Sequence, residues 1–449
     1  MDVEGDTPMD SNEVEMAGDE EEEDENVQEE EVPAAKRKVY LPGQPMQSDE
    51  ELECDETAYV FLHQAKTGSP CLSFDIVSDS LGADRPFPLT SYLVAGTQGE
   101  RKNANHLISI KMSNLRKTLK EEKKEKSDDD DEDSDSDSEA EADELPRLDC
   151  TMMPHKGCIN RVRSAWLGDK VVAATWSELG QVHVWDMTGS LRKLEALGPQ
   201  DPVLTERIGL KDQPKPIYTF SGHQTEGFAM DWCQTTKGML ATGDCAKNIH
   251  IWTPKENATG WIVDQRPLTG HEKSVEDVQW SPSERNVLAS CSVDCSIKIW
   301  DTRAAPSKAC KLTVTKAHDG DVNVINWNRN EAMIVSGGDD GKVKVWDLRQ
   351  LKEAVATFKH HSAPVTTVEW HPSEGSVFAS GGADDQIAIW DLAVERDGPE
   401  EETAHLPPQL LFIHQGQKDI KELHWHPQVS GMIISTALSG FNIFKTISV

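Results

Sequence analysis

The sequence predicts an all-β fold in which repeated strands assemble into one large closed domain. Two observations carry this expectation. The first is a recurring strand phrase: "SIKIWD" at 296–301, "KVKVWD" at 342–347 and "QIAIWD" at 386–391, with looser copies "QVHVWD" at 181–186 and "NIHIWT" at 248–253. Apolar residues alternate inside each copy, the period of a strand with one packed face. The second is a set of polar and aromatic residues at fixed distances from each phrase.

Ten residues before Trp300, Trp346 and Trp390 stand Ser290, Ser336 and Ser380, and Thr175 and Thr242 hold that place before Trp185 and Trp252. Six residues before the first three tryptophans stand Asp294, Asp340 and Asp384. A second tryptophan precedes each phrase by 19 or 20 residues (Trp166, Trp232, Trp280, Trp327, Trp370), and a histidine by 28 to 30 (His155, His223, His271, His318, His361). An indole N–H, a hydroxyl, an imidazole and a carboxylate can form one chain of buried hydrogen bonds in which every member has a partner. Asp suits the turn between the second and third strands, where it bonds nearby backbone. His271, Ser290 and Asp294 are also the ingredients of a hydrolase triad. A catalytic set would occur once and would need an oxyanion site, whereas this one recurs in unit after unit. The expectation is therefore a structural tetrad, no enzyme and no cofactor.

This layout resembles the WD-repeat family, whose units are four-stranded blades of a β-propeller. The resemblance implies a seven-bladed propeller over residues 67–449. Five units are plain. A sixth runs from His414 through "DIKELHWHP" (419–427) and "GMIISTALS" to "GFNIFKTI", with Phe444 replacing the motif tryptophan. A degenerate first blade is expected from "CLSFDIVSD" (71–79), "TSYLVAGTQ" (90–98) and "NHLISIKMSNL" (105–115). In this family the fourth strand precedes the next histidine. None follows the last unit before Val449, so an N-terminal segment is expected to close the ring, or an edge would stay unpaired. "KRKVYLP" (36–42) is the candidate. Insertions at 116–147, 188–213 and 393–408 lengthen blades one, two and six between their third and fourth strands. Ser48 and Glu51 form a capping-box pattern, which predicts a helix over 49–65 with Leu52, Tyr59, Phe61 and Leu62 among its apolar residues. Closing segment and helix together span 36–66.

The net charge of −34 is concentrated. Residues 1–31 hold sixteen acids and no Lys or Arg, and residues 127–144 hold twelve acids and no base, together 28 of the 34 charges. Such runs repel themselves and bury no apolar area, which predicts a disordered tail over 1–35 and a disordered insertion over 116–147. They suit a basic partner and repel nucleic acid, so no direct nucleic-acid ligand is expected. No run of about 18 apolar residues suggests a membrane span, and the acidic N-terminus is unlike a secretory signal. Nine cysteines without a C-x-x-C are expected to be reduced thiols of a nuclear or cytosolic protein. Ser127, Ser134, Ser136 and Ser138 each have an acid three residues on and are expected phosphorylation sites. "KRK" at 36–38 is a short cluster suited to nuclear import.

Three further features narrow the resemblance: a helix running into "AYVFLHQAKTGSPCLSFDIV", an acidic insertion ending in "LPPQLLFIHQG", and the glutamate-rich N-terminus. Together they resemble the glutamate-rich branch of the WD-repeat family, related to the chromatin-assembly histone-binding propellers. The resemblance implies a monomeric nuclear and nucleolar carrier of core histones or of a basic large-subunit ribosomal protein. It also implies a side groove made by Tyr59, Phe61 and Leu62 of the helix with Glu400, Glu401, Glu402, Pro407 and Pro408 of the loop. In such a groove an amphipathic basic helix would meet apolar walls and carboxylates. The alternative is a substrate-receptor adaptor of a cullin ligase. "IKIWDTR" (297–303) and "VKVWDLR" (343–349) match the WD-x-R phrase of such receptors, with Arg303 and Arg349 as contacts for the ligase adaptor.

Overall fold

A computed structural model of the 449-residue chain describes residues 40, 53–83, 85–99, 101, 104–118, 145–209, 214–256, 260–395 and 406–449. Asp55–Val449 forms one compact unit. Of Met1–Cys54 the structure describes only Tyr40, Glu53 and Cys54.

Seven antiparallel sheets follow one another along this unit. Each begins with an inner strand: Cys71–Val77, Ile159–Leu167, Ala229–Trp232, Val275–Trp280, Val322–Trp327, Val365–Trp370 and Ile420–Trp425. Each inner strand packs against the next, and the last packs against the first, so the ring is closed. Inner strands such as Val275–Trp280 bury four of six residues, because neighbouring sheets cover both faces. A β-bulge interrupts the start of the inner strand in six of the seven blades, as between Val275 and Asp277. Bulges increase twist, which suits strands that turn about an axis. The core is divided into seven apolar clusters, one in each seam between neighbouring sheets. The seven-bladed β-propeller read from the repeats is the fold observed.

The ring closes differently from expectation. The strand Gly440–Thr446 pairs antiparallel with Tyr59–Ala65, from Tyr59↔Thr446 to Ala65↔Phe441. Residues 59–65 are therefore strand, where a helix over 49–65 was expected. Residues 49–52, the capping pair Ser48 and Glu51, and "KRKVYLP" apart from Tyr40 lie outside the described residues. Tertiary pairing explains the outcome. An unpaired edge on Gly440–Thr446 would leave backbone donors and acceptors open, and a bulge between Tyr59 and Phe61 turns their side chains to opposite faces of the sheet, one into each neighbouring seam. Both are buried, Phe61 completely.

The insertion at 188–213 holds a helix, Thr188–Glu195, whose Leu191 and Leu194 are buried in the seam between blades one and two. Buried Lys111 donates to the carbonyls of Leu194 (3.2 Å) and Leu197 (2.7 Å), covering the helix C-terminus. The chain then adds Thr205–Arg207 as a fifth, parallel strand on the outer edge of blade one. All nine cysteines are free thiols.

Candidate binding surfaces of the ring

The repeated polar residues meet inside the blades. In blade four His271 Nδ1 lies 2.9 Å from Asp294 Oδ2 and Nε2 lies 2.7 Å from Ser290 Oγ, which also accepts the Trp300 indole N–H at 2.8 Å. The carboxylate only accepts, so the proton sits on Nδ1 and Nε2 accepts from the hydroxyl. His318, Asp340, Ser336 and Trp346 repeat this in blade five with distances of 2.8 Å. His361, Asp384, Ser380 and Trp390 repeat it in blade six at 2.8 to 3.0 Å. Ser290, Ser336 and Ser380 are fully buried, which leaves no room for a substrate. Against the upward push of burial, hydrogen bonds from His271 and Ser296 hold the Asp294 carboxyl far below its usual range.

Blade three contains a fourth complete tetrad, His223, Asp244, Thr242 and Trp252. Asp244 stands eight residues before Trp252 instead of six, which is why fixed spacing from the tryptophan missed it. In blade two the Gly157 carbonyl takes the place of the carboxylate at 3.0 Å from His155 Nδ1. In blade seven His414 sits between the Tyr59 hydroxyl (2.8 Å) and Asn442 (3.0 Å), with Phe444 stacked on its ring.

The inner strands surround a cavity of about 460 Å³ along the ring axis. One register position contributes a side chain from every blade: Asp75, Arg163, Asp231, Gln279, Asn326, Glu369 and His424. The five acceptors each take a backbone N–H of the next blade. Asp75 accepts from Ser164 (2.6 Å), Asp231 from Trp280 (2.7 Å), Gln279 from Trp327 (3.3 Å), Asn326 from Trp370 (2.9 Å) and Glu369 from Trp425 (3.2 Å). Arg163 and the His424 imidazolium are donors and cannot act in this way. At the seam between blades seven and one the buried Glu422 does so instead. Its Oε2 accepts the Phe74 N–H at 2.9 Å, and its Oε1 takes Arg161 and Arg163 at 2.7 Å each. His424 lies 2.9 Å from Glu369 and 3.6 Å from Glu422. Although burial opposes it, the pull of Glu369 and Glu422 raises His424 to about 10. Burial pushes the Asp231 carboxyl up to about 7. No motif announced these groups; the signal was only that five of them, Asp231, Gln279, Asn326, Glu369 and His424, stand one residue before an inner-strand tryptophan, and Asp75, Arg163 and Glu422 lacked even that.

The surface residues inferred by resemblance fare differently. Tyr59 and Phe61 do not line a groove: Tyr59 packs in the seam between blades six and seven, and Phe61 in the seam between seven and one. Leu62 is partly buried against the first of these clusters. Pro407 and Pro408 are half-buried ahead of the outer strand Leu410–His414. Glu400, Glu401 and Glu402 lie outside the described residues, as do Ser127, Ser134, Ser136 and Ser138. Arg303 and Arg349 follow the third strands of adjacent blades four and five and are well exposed. Each is held by two hydrogen bonds or more to the carboxylate two residues earlier, Asp301 or Asp347. Among the described residues no cluster of His, Cys, Asp or Glu could hold a metal ion, and no helix is long and apolar enough to cross a membrane.

Closed seams, buried tetrads and a charged axial channel define a WD-repeat propeller. The solved WD40 propeller domain of Doa1 superimposes with a TM-score of 0.54 at 16% identity, over 86% of this chain and 96% of that one. Residues 49–116 match the family model of the histone-binding protein RBBP4 and its counterpart in the CAF1 complex, and residues 233–439 match "Nucleolar protein 10-like, N-terminal domain". Three relatives are each 41% identical. They are Glutamate-rich WD repeat-containing protein 1 of Dictyostelium discoideum (91% of this chain, 85% of the relative), Ribosome assembly protein rrb1 of Schizosaccharomyces pombe (91% and 84%) and Protein HEAT STRESS TOLERANT DWD 1 of Arabidopsis thaliana (92% and 92%). The chain belongs to the glutamate-rich WD-repeat family.

Proposed function

We propose that the protein is a carrier of strongly basic proteins, acting in ribosome assembly on a large-subunit ribosomal protein and able to bind core histones in the nucleus and nucleolus. The observation that carries this reading is charge placement: two tracts hold 28 of the 34 net negative charges, on a closed ring of seven blades. Clustered acid covers a cationic client and keeps it from nucleic acid until assembly. The ribosome assembly relative and the histone-binding model over residues 49–116 support the choice of client class. The test is binding of purified full-length protein to core histones and to basic large-subunit ribosomal proteins as salt is raised. Tight binding at physiological ionic strength is expected, with a weaker, less salt-dependent complex after deletion of 1–31 and 127–144. Failure of every basic client to bind sinks the reading.

A second role, as substrate-receptor adaptor of a cullin ligase, is favoured by one observation. Arg303 and Arg349 are exposed at the same end of two neighbouring blades, each oriented by its own carboxylate. Arg303→Ala with Arg349→Ala is expected to abolish capture of the ligase adaptor and to leave client binding intact.

A further inference from the structure

The strand that closes the ring has a second edge. One edge of Tyr59–Ala65 pairs with Gly440–Thr446. On the other edge the Val60 carbonyl and the Leu62 N–H meet the chain that has just left the third strand of blade one. Thr118 N–H donates to the Val60 carbonyl at 3.1 Å, and Leu62 N–H donates to the Thr118 hydroxyl at 2.8 Å. The Arg116 carbonyl lies 2.8 Å from His63 Nε2, which donates to it. In an added strand a backbone carbonyl would accept the Leu62 N–H. Here a side-chain oxygen does so, and one residue satisfies both groups of the edge.

Residues 116–118 reach this edge through a local turn. Asn114 lies in the left-handed region at φ 57°, which Asn tolerates. Its Nδ2 donates to the Leu145 carbonyl at 2.7 Å, and its Oδ1 accepts from Arg116 Nε at 3.1 Å. One side chain thus holds the outgoing chain at Arg116 beside the returning chain at Leu145. Lys117 Nζ lies 5.8 Å from the centre of the Phe87 ring, and Phe87 packs edge-on to Phe61 at 5.8 Å. Phe61 is fully buried in the seam between blades seven and one. The strap therefore touches the closing strand along its edge and the closing seam through Phe87.

Its attachment is light beside that of the ring. Arg116 and Lys117 are exposed and Thr118 is half-buried, so lifting the strap parts surface hydrogen bonds and uncovers little apolar area. Lifting Tyr59–Ala65 instead would uncover Tyr59 and Phe61 and break the pairing with Gly440–Thr446. The two openings belong to different ranges of free energy. We propose that residues 116–118 are a releasable strap, which opens and closes on the edge of the closing strand while the ring stays folded, with the Thr118 hydroxyl as its catch. The closed strap fits only a seated strand, so strap closure and strand seating favour each other, and the coupling is reciprocal.

The test is hydrogen–deuterium exchange of the full chain, resolved to single amides. In wild type the Leu62 and Thr118 amides are expected to exchange roughly a hundredfold faster than those of Phe441 and Ile443, which lie between two paired strands. Thr118→Val keeps the shape of the side chain and removes the acceptor. It is expected to speed the Leu62 amide roughly tenfold, with Thr118→Ser close to wild type. The Phe441 and Ile443 amides are expected to be unchanged in both variants. One common rate for Leu62, Phe441 and Ile443 in wild type would mean that the strap opens only with the ring, and overturns the proposal. A Leu62 amide that Thr118→Val leaves unchanged overturns the hydroxyl as the catch. Acceleration of all these amides together in Thr118→Val makes Thr118 part of ring closure itself, and overturns the separate strap.

Discussion

A buried imidazole whose nitrogens meet only neutral partners is held neutral, as His155 and His414 are. Burial lowers His414 to about 3 and His155 to about 4, well under the ordinary 6.5. The unfolded chain therefore takes up protons first as pH falls. The stability these residues contribute is complete above about pH 6.5 and is lost as pH drops through their folded values. The tetrad carboxyls of Asp244, Asp294, Asp340 and Asp384 are also lowered and act in the same sense at lower pH. Asp231, raised to about 7, acts in the opposite sense, as do Glu276, Asp277 and Asp321, which burial also raises, and His424, raised to about 10, acts in that sense above about pH 6.5. Urea unfolding is expected to show a loss of about 2 kcal/mol for each such histidine between about pH 6.5 and pH 5. A midpoint flat over that range contradicts the neutral, buried assignment. At this scale the sequence was legible where spacing was strict: His271, Ser290, Asp294 and Trp300 could be paired by counting alone. Asp244 escaped because it stands two residues earlier in a turn of the same length, Thr242 pairing with His250 as Ser290 pairs with Lys298. Trp166 looked like a member of the set because counting cannot see a register that is settled by pairing, as at Val162↔Thr175.

Between blades, the elements are joined by side chains that accept a neighbour's backbone N–H, and the seam between blades seven and one depends on Glu422. That carboxylate is 2% exposed and meets Arg161, Arg163 and the Phe74 N–H together. Its pKa is held well below the usual value because Arg163 and Arg161 outweigh its burial. Glu422→Gln keeps an acceptor for Phe74 but leaves two guanidinium groups without their charge partner. A loss of about 3–5 kcal/mol in unfolding free energy is expected, the cost of breaking a buried ion pair from one side. A change under about 1 kcal/mol would mean that the arginines find other partners and that the seam is held by its apolar cluster. The closing strand shows why elements are harder to read than residues. Tyr59, Val60, Phe61 and Leu62 are consecutive apolar residues, compatible with a helix face or a strand. The capping pattern at Ser48 and Glu51 tipped the local reading to helix. What decides the matter is Gly440–Thr446, nearly four hundred residues away, whose edge needs a partner. The short parallel strand Thr205–Arg207 was illegible for the same reason: "TER" has no apolar alternation, and only the free edge of blade one makes it a strand.

For the whole molecule, closure by residues from both ends of the ring makes seven seams interdependent. Each apolar cluster takes residues from two neighbouring blades, so no blade can leave without opening two clusters. A propeller of this kind is expected to unfold as one unit, unlike an open repeat array whose ends fray. Two truncations separate the closing strand from the residues before it. A chain beginning at residue 53 keeps Tyr59–Ala65 and is expected to melt in one transition close to that of the full chain. A chain beginning at residue 67 loses Tyr59 and Phe61, whose burial alone stabilises by about 3–6 kcal/mol, and exposes the Gly440–Thr446 edge to other molecules. It is expected to melt at least about 10 °C lower and to elute as aggregate in size-exclusion chromatography. Deleting 119–144 removes net charge of −11 and is expected to leave the transition where it was. Calorimetry on the three variants decides the point: a residue-67 chain as stable and monodisperse as the full protein would show that the ring does not need its N-terminal strand. Closure would then have to reside in the Glu422 network and the apolar seam beside it.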